Sequence, residues 1–204
     1  TLLNDILDLS KVEEGKMTIE SIDFDLHKLV ESVAMLMSGR AEEKKIGLKV
    51  EIDPETPQML KGDPTRLRQI FLNLVGNAIK FTYQGGVVVR ISTLKTPDNE
   101  TLFRFSVTDT GPGLTDEARR RIFDAFAQGA DARDFRFAGK AAGAGLGLPI
   151  SERLVRMMGG HIGVDSTPGQ GSTFWFLLPA EPGGAAAYIA SLRESDEPER
   201  QQQP

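Results

Sequence analysis

The apolar positions of this chain switch several times between the spacing of a helix and that of a strand. Helical spacing of apolar side chains occurs in residues 1–17, 26–45, 63–82 and 146–158. Alternation typical of strands occurs in residues 18–24, 48–52, 87–93, 102–108, 161–166 and 172–178. The pattern therefore predicts four longer helices and six strands in a mixed order.

Several of these predicted elements carry residues that favour the start or the end of a helix. Asp63-Pro64 supplies an N-cap carboxylate followed by proline at the first helical position. Thr115 is the expected N-cap of a further short helix that runs to about Phe123. Gly159-Gly160 is expected to end the helix over residues 146–158. Residues 127–142 have no clean period and are predicted to form a mobile loop.

The two ends of the chain differ from the middle. Leu2, Ile6 and Leu9 lie on a wide apolar stripe of the first helix, which needs a partner that little of the chain is left to supply. From Glu181 onward the sequence turns polar and repetitive, which is typical of a linker. One main domain with an appendage at each end is therefore expected.

Composition narrows the class of protein. A chain of 204 residues with 40% hydrophobic content can bury one substantial core. A net charge of -5, without a basic stripe, argues against a nucleic-acid partner. The absence of cysteine excludes disulfides and thiolate metal sites, and no apolar run reaches the roughly 18 residues of a membrane span. Because the chain starts at Thr1 without an initiator methionine, we expect it to be a piece of a longer protein.

A stripe of polar side chains on the third predicted helix is the first candidate for a binding site. Asn73, Asn77 and Lys80 are spaced i, i+4 and i+7, so they share one helix face. An asparagine oxygen suits a hard cation such as magnesium, and a lysine one turn later can neutralise phosphate charge. Taken alone, the stripe is more typical of an exposed face of an amphipathic helix.

Two glycine-rich segments follow in the sequence. Asp109-Thr-Gly111-Pro-Gly113-Leu114 comes directly after a strand, where an aspartate can accept a hydrogen bond from an exocyclic amine and glycines let a ligand approach. Gly143-Ala-Gly145-Leu-Gly147-Leu148 precedes a helix, whose free N–H groups would face phosphates. It fits neither a Walker loop nor a dinucleotide fingerprint. Taken singly, the first also fits an ordinary turn and the second a flexible tether. Together with the polar stripe, they predict a site for a magnesium nucleotide.

Other kinds of site find little support. His27 and His161 are the only histidines, and neither has the surroundings of a base or of a metal ligand. A Ser/His/Asp set, paired histidines and a cysteine nucleophile are all missing from the sequence. We therefore expect both histidines to have structural or surface roles.

In order, these segments resemble five sequence boxes of the sensor histidine kinase catalytic domain, a member of the gyrase/Hsp90-type ATP-binding superfamily. They are the N box Asp63–Thr82, the G1 box Asp109–Leu114, the F box Ile122–Ala127, the G2 box Gly143–Leu148 and the G3 box Gly169–Phe174. The match extends over roughly residues 18–179. Residues 1–17 are similar to the end of the second helix of that family's dimerisation hairpin, which accounts for the unpartnered apolar stripe.

The resemblance implies an α+β fold, a two-layer α/β sandwich of the Bergerat ATP-binding type with a partial N-terminal dimerisation helix. Three segments follow: residues 1–17 as the end of the dimerisation helix, 18–179 as the catalytic domain and 180–204 as a polar linker or tail. By position, Asn77 would bind magnesium with Asn73 close by, Lys80 would contact phosphate and Phe81 would flank the adenine. Asp109 would accept the adenine amine. The remaining positions that would bind the nucleotide are Gly111, Gly113, Leu114, Gly143, Gly145, Leu146, Gly147, Leu148 and Thr173.

The implied reaction is transfer of the γ-phosphoryl group of Mg-ATP to a histidine, a chemistry of positioning and charge neutralisation in which Asn73, Asn77 and Lys80 would be the catalytic side chains. The implied partners are the protein's own phosphoacceptor domain, which forms a homodimer in the full-length protein, and a response-regulator receiver. A cytoplasmic location, no nucleic acid and no membrane contact are implied with them. The phosphoacceptor box is absent from this chain, and Ala144 replaces the usual threonine of the G2 box.

Three alternatives to a histidine kinase remain open. The first is an ATPase of the same superfamily. Hydrolysing members have a glutamate one turn before the magnesium asparagine to activate water, and here that position is Asn73, which cannot act as a base. A relative that phosphorylates serine shares the fold, but the N-terminal helix favours the histidine type. A non-catalytic module that only senses nucleotide is favoured by Ala144.

Overall fold

The computed structural model describes residues 17–124, 146–180, 189–190 and 192–194. The predictions for residues 1–16, for the loop 127–142 and for Gly143 and Gly145 lie outside these ranges. In the described part the helices are α1 (Leu26–Glu43), α2 (Pro64–Phe81), α3 (Asp116–Arg121) and α4 (Gly147–Met157). The strands are β1 (Ile22–Asp25), β2 (Gly47–Ile52), β3 (Met59–Gly62), β4 (Gly86–Lys95), β5 (Thr101–Asp109), β6 (His161–Ser166) and β7 (Ser172–Pro179).

Five of the strands form one mixed sheet in the order β2-β4-β5-β7-β6. β2 is parallel to β4, and the other neighbours are antiparallel. Helices α1, α2 and α4 pack on one face of this sheet and bury the main core against it. The predicted α+β sandwich is confirmed. β1 and β3 form a separate two-stranded sheet.

Local capping explains where the helices begin. The side chain of Asp63 accepts a hydrogen bond from the backbone N–H of Arg66, and Pro64 follows it at the start of α2. Thr115 caps α3 in the same way through Ala118. Asp63 also accepts a bond from the backbone N–H of Glu20 at 3.0 Å, so both of its carboxylate oxygens are used. The sequence predictions of these two helix starts are confirmed.

Three phenylalanine rings anchor α2 to the middle of the sheet. Phe71 of α2 meets Phe105 of β5 and Phe176 of β7 edge-on, with ring centres 5.7 Å apart in both pairs. Phe105 and Phe176 stack on each other at 4.7 Å. All three side chains are fully buried, so the position of α2 relative to the strands is fixed by packing.

Part of the predicted tail packs against the domain. Residues 189–190 and 192–194 are helical, and Ile189 is only 2% exposed in a small cluster with Leu102 and Leu177. The guanidinium group of Arg193 donates a hydrogen bond to the carbonyl of Gly160. This cluster lies on the sheet face opposite the main core. The prediction of a plain polar linker over 180–204 therefore does not hold for these residues.

Among the described helices, none is long and apolar enough to cross a membrane.

Candidate functional site

The polar stripe of α2 faces the start of α4. The side-chain amide of Asn73 donates hydrogen bonds to the carbonyl oxygen of Gly147 at 3.1 Å and to the hydroxyl of Ser151 at 3.3 Å. A Cβ placed on Gly147 would lie 3.4 Å from the side chain of Asn73, a tight contact. The helix that carries the predicted magnesium and phosphate ligands therefore touches the end of the predicted phosphate-binding segment.

Asn77 and Lys80 lie one and two turns further along the same face. Both side chains are half-buried. The oxygen of the Asn77 amide is of the kind that a hard cation prefers as a ligand. The Lys80 ammonium group lies 4.9 Å from the centre of the Phe81 ring, and burial lowers the pKa of this lysine. Because water no longer fully solvates the cation, an approaching phosphate would stabilise its charged form.

The C-terminal end of α2 is held by two side chains. The hydroxyl of Thr82 donates to the carbonyl of Ala78 at 2.7 Å. The ammonium group of Lys44, at the end of α1, donates to the carbonyls of Ile79 at 2.6 Å and Lys80 at 2.7 Å. The carbonyls of Ile79 and Lys80 belong to the last turn, where they have no partner within the helix. A cation at this position is also stabilised by the negative end of the helix dipole. Lys44 fixes the turn that carries Lys80, a role that sequence reasoning missed because the two residues are far apart in the chain.

Asp109 lies at the end of β5, next to the end of α2. Its carboxylate accepts the backbone N–H of Gly111 at 2.8 Å and also the backbone N–H of Ser172. The side chain is 6% exposed, and this burial raises its pKa although the two hydrogen bonds act in the opposite direction. A Cβ on Gly111 would lie 2.8 Å from this carboxylate and 3.0 Å from the carbonyl oxygen of Phe81. Only glycine allows the three groups to come so close.

The turn after Asp109 packs against the β6–β7 hairpin. Gly113 has a φ of 69°, and a Cβ there would overlap the carbonyl oxygen of Thr167. Gly171 has a φ of 88°, and its Cβ would overlap the carbonyl of Asp109. Both positions therefore need glycine for conformation and for space. The backbone N–H of Leu114 donates to the hydroxyl of Ser166 at 2.8 Å.

Comparison with known proteins identifies this arrangement. The model of the family described as "Histidine kinase-, DNA gyrase B-, and HSP90-like ATPase" matches residues 62–182, more than half of the chain. The chain belongs to this family. The resemblance drawn from the N, G1, F, G2 and G3 boxes is thereby confirmed.

Within this family, the chain is similar to several histidine kinases. The sensor protein GacS of Pseudomonas syringae pv. syringae is 44% identical over 178 residues, which is 87% of this chain and 19% of GacS. The crystal structure of full-length ShkA in complex with AMPPNP has a TM-score of 0.75 and 41% identity, covering 89% of this chain and 36% of ShkA. The complex of histidine kinase ThkA with response regulator protein TrrA has a TM-score of 0.63 and 25% identity, covering 89% of this chain and 49% of the other. The chain thus spans about a fifth of GacS.

The register of β7 adds one residue to the candidate site of this ATPase domain. Ser172 is paired with Asp109 on the core side of the sheet, whereas the hydroxyl of Thr173 lies 3.0 Å from that of Thr108 on the opposite face. A shallow polar cleft of about 210 Å³ at this end of the strands is lined by Asp109, Ser166 and Ser172 as well as by Thr173 and Asp165. Ser172 is therefore the G3-box residue directly beside Asp109, and the role of Thr173, which lines the same cleft, stays a prediction. The alternation of β7 contains this signal, since Phe174 and Phe176 point to the core and Ser172 shares their side.

The leucines of the predicted site pack in or against the main core. Leu146 is buried in the main core, and Leu114 and Leu148 are half-buried against it. His161 is buried with its ring 5.5 Å from that of Trp175 on the outer face. Over the described residues, no cluster of three or more His, Cys, Asp or Glu side chains has the arrangement of a metal site. A magnesium ion here would need few protein ligands, and the amide oxygen of Asn77 fits that requirement.

Proposed function

We propose that this chain is the ATP-binding catalytic domain of a two-component sensor histidine kinase and that it transfers the γ-phosphoryl group of Mg-ATP to a histidine outside this chain. One observation carries the proposal: α2 meets both ends of the site. Asn73 contacts the start of α4 at Gly147, and Phe81 lies against the turn that follows Asp109. A nucleotide lying along α2 would have its phosphates near the first contact and its base near the second.

Each side chain then has a defined role in the proposed reaction. The Asn77 oxygen holds magnesium, the Lys80 ammonium group neutralises phosphate charge, and the Asp109 carboxylate accepts the adenine amine. Mg-ATP supplies the phosphoryl group and part of the charge neutralisation. A nitrogen of the acceptor imidazole bonds to the γ-phosphorus while the bond to the bridging oxygen of ADP breaks. The domain itself needs no nucleophile, which agrees with the side chains found here.

Transfer to an acceptor is favoured over hydrolysis. In hydrolysing members of the superfamily, the position of Asn73 is a glutamate that activates water. The Asn73 amide is no base, and its nitrogen is engaged by Gly147 and Ser151. The non-catalytic alternative depends on Ala144, which lies outside the described residues. It therefore remains the second candidate.

The proposed partners follow from the same relatives. A kinase of this type acts on its own dimerisation domain, in a homodimer of the full-length protein, and passes the phosphoryl group to a response-regulator receiver. The ThkA–TrrA complex, in which a histidine kinase of similar fold binds a response regulator, supports the second partner. We further propose a cytoplasmic location for the domain, without nucleic-acid or membrane contacts of its own.

Phosphotransfer to a separate hairpin tests the proposal. The domain is mixed with a dimerisation hairpin that contains the phosphoacceptor histidine, magnesium and γ-labelled ATP. We expect acid-labile, alkali-stable label on the hairpin, and none with Asn77→Ala. Tight ATP binding without label on the hairpin would favour the nucleotide-sensing module, and release of labelled inorganic phosphate without the hairpin would favour an ATPase.

A further inference from the structure

Ser166 lies at the centre of a hydrogen-bond network beside the predicted adenine end of the site. Three residues form one row across neighbouring strands: Ser166 of β6 pairs with Ser172 of β7, and Ser172 pairs with Asp109 of β5. Side chains of directly opposed residues share a face of the sheet, so the two hydroxyls and the carboxylate lie on the same side. Neither serine was singled out as a site residue by the sequence.

The partners of the Ser166 hydroxyl determine where its proton lies. The oxygen contacts the backbone N–H of Leu114 at 2.8 Å, the carbonyl oxygen of Gly171 at 3.0 Å and the hydroxyl of Ser172 at 2.9 Å. The N–H can only donate and the carbonyl can only accept. Ser166 therefore donates its only hydrogen bond to the carbonyl oxygen of Gly171, and the hydroxyl of Ser172 must donate a hydrogen bond to the oxygen of Ser166. All three hydrogen-bonding positions of Ser166 are then filled.

This network fixes two segments that border Asp109. Leu114 ends the turn that begins at Asp109, and Gly171 and Ser172 belong to the hairpin whose backbone N–H at Ser172 reaches the carboxylate. The carbonyl of Asp109 lies so close to Gly171 that a Cβ could not be accommodated. A shift of either segment would therefore move the acceptor of the adenine amine. Because the hydroxyl of Ser172 donates its hydrogen bond to Ser166, the oxygen of Ser172 can serve any further partner only as an acceptor.

We propose that Ser166 is a positioning residue for adenine recognition: without touching the nucleotide, its hydroxyl holds the turn after Asp109 and the β6–β7 hairpin in the arrangement that presents the carboxylate to the base. The proposal rests on the proposed nucleotide site, because it assigns a role within the same pocket.

The test compares Ser166→Ala with wild type by calorimetric titration of ATP and of adenosine, well below the melting temperature. Ser166→Ala loses about one net hydrogen bond, so the dissociation constant for each ligand should rise three- to tenfold. The factor should be the same for both ligands because the defect lies at the base. Ser166→Thr keeps the hydroxyl and should bind within about twofold of wild type. Ser106→Ala is the matched control, since its hydroxyl faces the carbonyl of Arg90 on the outer sheet face.

Three results would overturn the inference. Unchanged affinity of a folded Ser166→Ala for both ligands would reduce Ser166 to a structural residue, as would a loss confined to ATP, which would place the defect at the phosphates. Equal weakness of Ser166→Thr and Ser166→Ala would show that the hydroxyl is not what matters. If the wild-type domain bound neither ATP nor adenosine, the proposed function itself would fail, which is a different outcome from a variant that binds like wild type.

Discussion

Replacing Asp109 by asparagine tests the base-binding end of the site with almost no change of shape. The carboxylate accepts two backbone N–H groups, from Gly111 and Ser172. In Asp109→Asn, one carboxylate oxygen becomes an NH2 group that cannot accept a bond from the adenine amine. A hydrogen bond to a charged acceptor contributes about 1.5–3 kcal/mol, so ATP affinity should fall roughly 10- to 150-fold.

The same substitution should leave the unliganded domain folded. Burial raises the pKa of Asp109, so its ionised form is disfavoured in the folded state at neutral pH. For an acid whose folded pKa is raised, this cost is absent below the unfolded pKa and fully present above the folded pKa. Asparagine removes that cost but also loses an acceptor for one backbone N–H. The two effects oppose each other, and we expect the free energy of unfolding to change by less than about 1 kcal/mol.

Calorimetry with Mg-ATP and a thermal melt without ligand measure the two quantities. Asp98→Asn is the control, because Asp98 is exposed in the turn between β4 and β5, at the far end of β5 from Asp109, and its substitution should change neither quantity. If Asp109→Asn bound ATP as tightly as wild type while remaining folded, the carboxylate would not be the acceptor of the adenine amine. A variant that failed to fold would instead show that the two backbone contacts of Asp109 are mainly structural.

Three further predictions concern other parts of the domain. Adenosine affinity of the wild type should fall as the pH is lowered through the raised pKa of Asp109, with a midpoint above that of an ordinary aspartate, and titrations across pH should find no such step in Asp109→Asn. Lys44→Met should weaken ATP binding several-fold in the same calorimetric assay because the last turn of α2 loses two hydrogen bonds; Lys45→Met, at an exposed neighbour, should not. Ile189→Ala should cost about 2 kcal/mol of unfolding free energy in a denaturant titration and leave ATP affinity unchanged.

The elements that could be predicted are those with strong local signals. The helix at Pro64–Phe81 combines a capping aspartate, a proline at its first position and a long apolar face, so its start was found at the correct residue. The strand Met59–Gly62 was missed because it has four residues, two of them exposed, and depends on pairing with Ile22–Asp25. Such a short strand exists through its partner, and no local pattern contains that information.

The position of Ser172 beside Asp109 was not predicted, for a different reason. Adjacent hydroxyl residues occupy the same box, and only the register of β7 decides which one points towards Asp109. A one-residue error in a strand moves a side chain to the opposite face. The inward positions of Phe174 and Phe176 settle the choice once the core side is known. Site assignments made from strand sequences should therefore be checked against the apolar alternation on the same strand.

Contacts between distant residues account for the rest of what the sequence could not show. Asn73 and Gly147 are 74 residues apart, and Lys44 and Ile79 are 35 apart. The stripe of Asn73, Asn77 and Lys80 was readable because helical spacing makes neighbours of them, but the stripe alone was also typical of an exposed helix face. The structure adds contacts at both ends of the stripe, from Asn73 to Gly147 and from Lys44 to the carbonyl of Lys80.

Those contacts make α2 a rigid spacer between the two halves of the site. Asn73 and Phe81 are eight residues apart, which is about 12 Å along a helix axis. Phe71 anchors the helix to β5 and β7, Asn73 joins it to α4, and Lys44 fixes its last turn. The separation between the predicted phosphate and base contacts is therefore set by helix geometry and not by loops. A ligand that spans both contacts must match this length, so adenosine and ATP should share the base contact while only ATP gains the second.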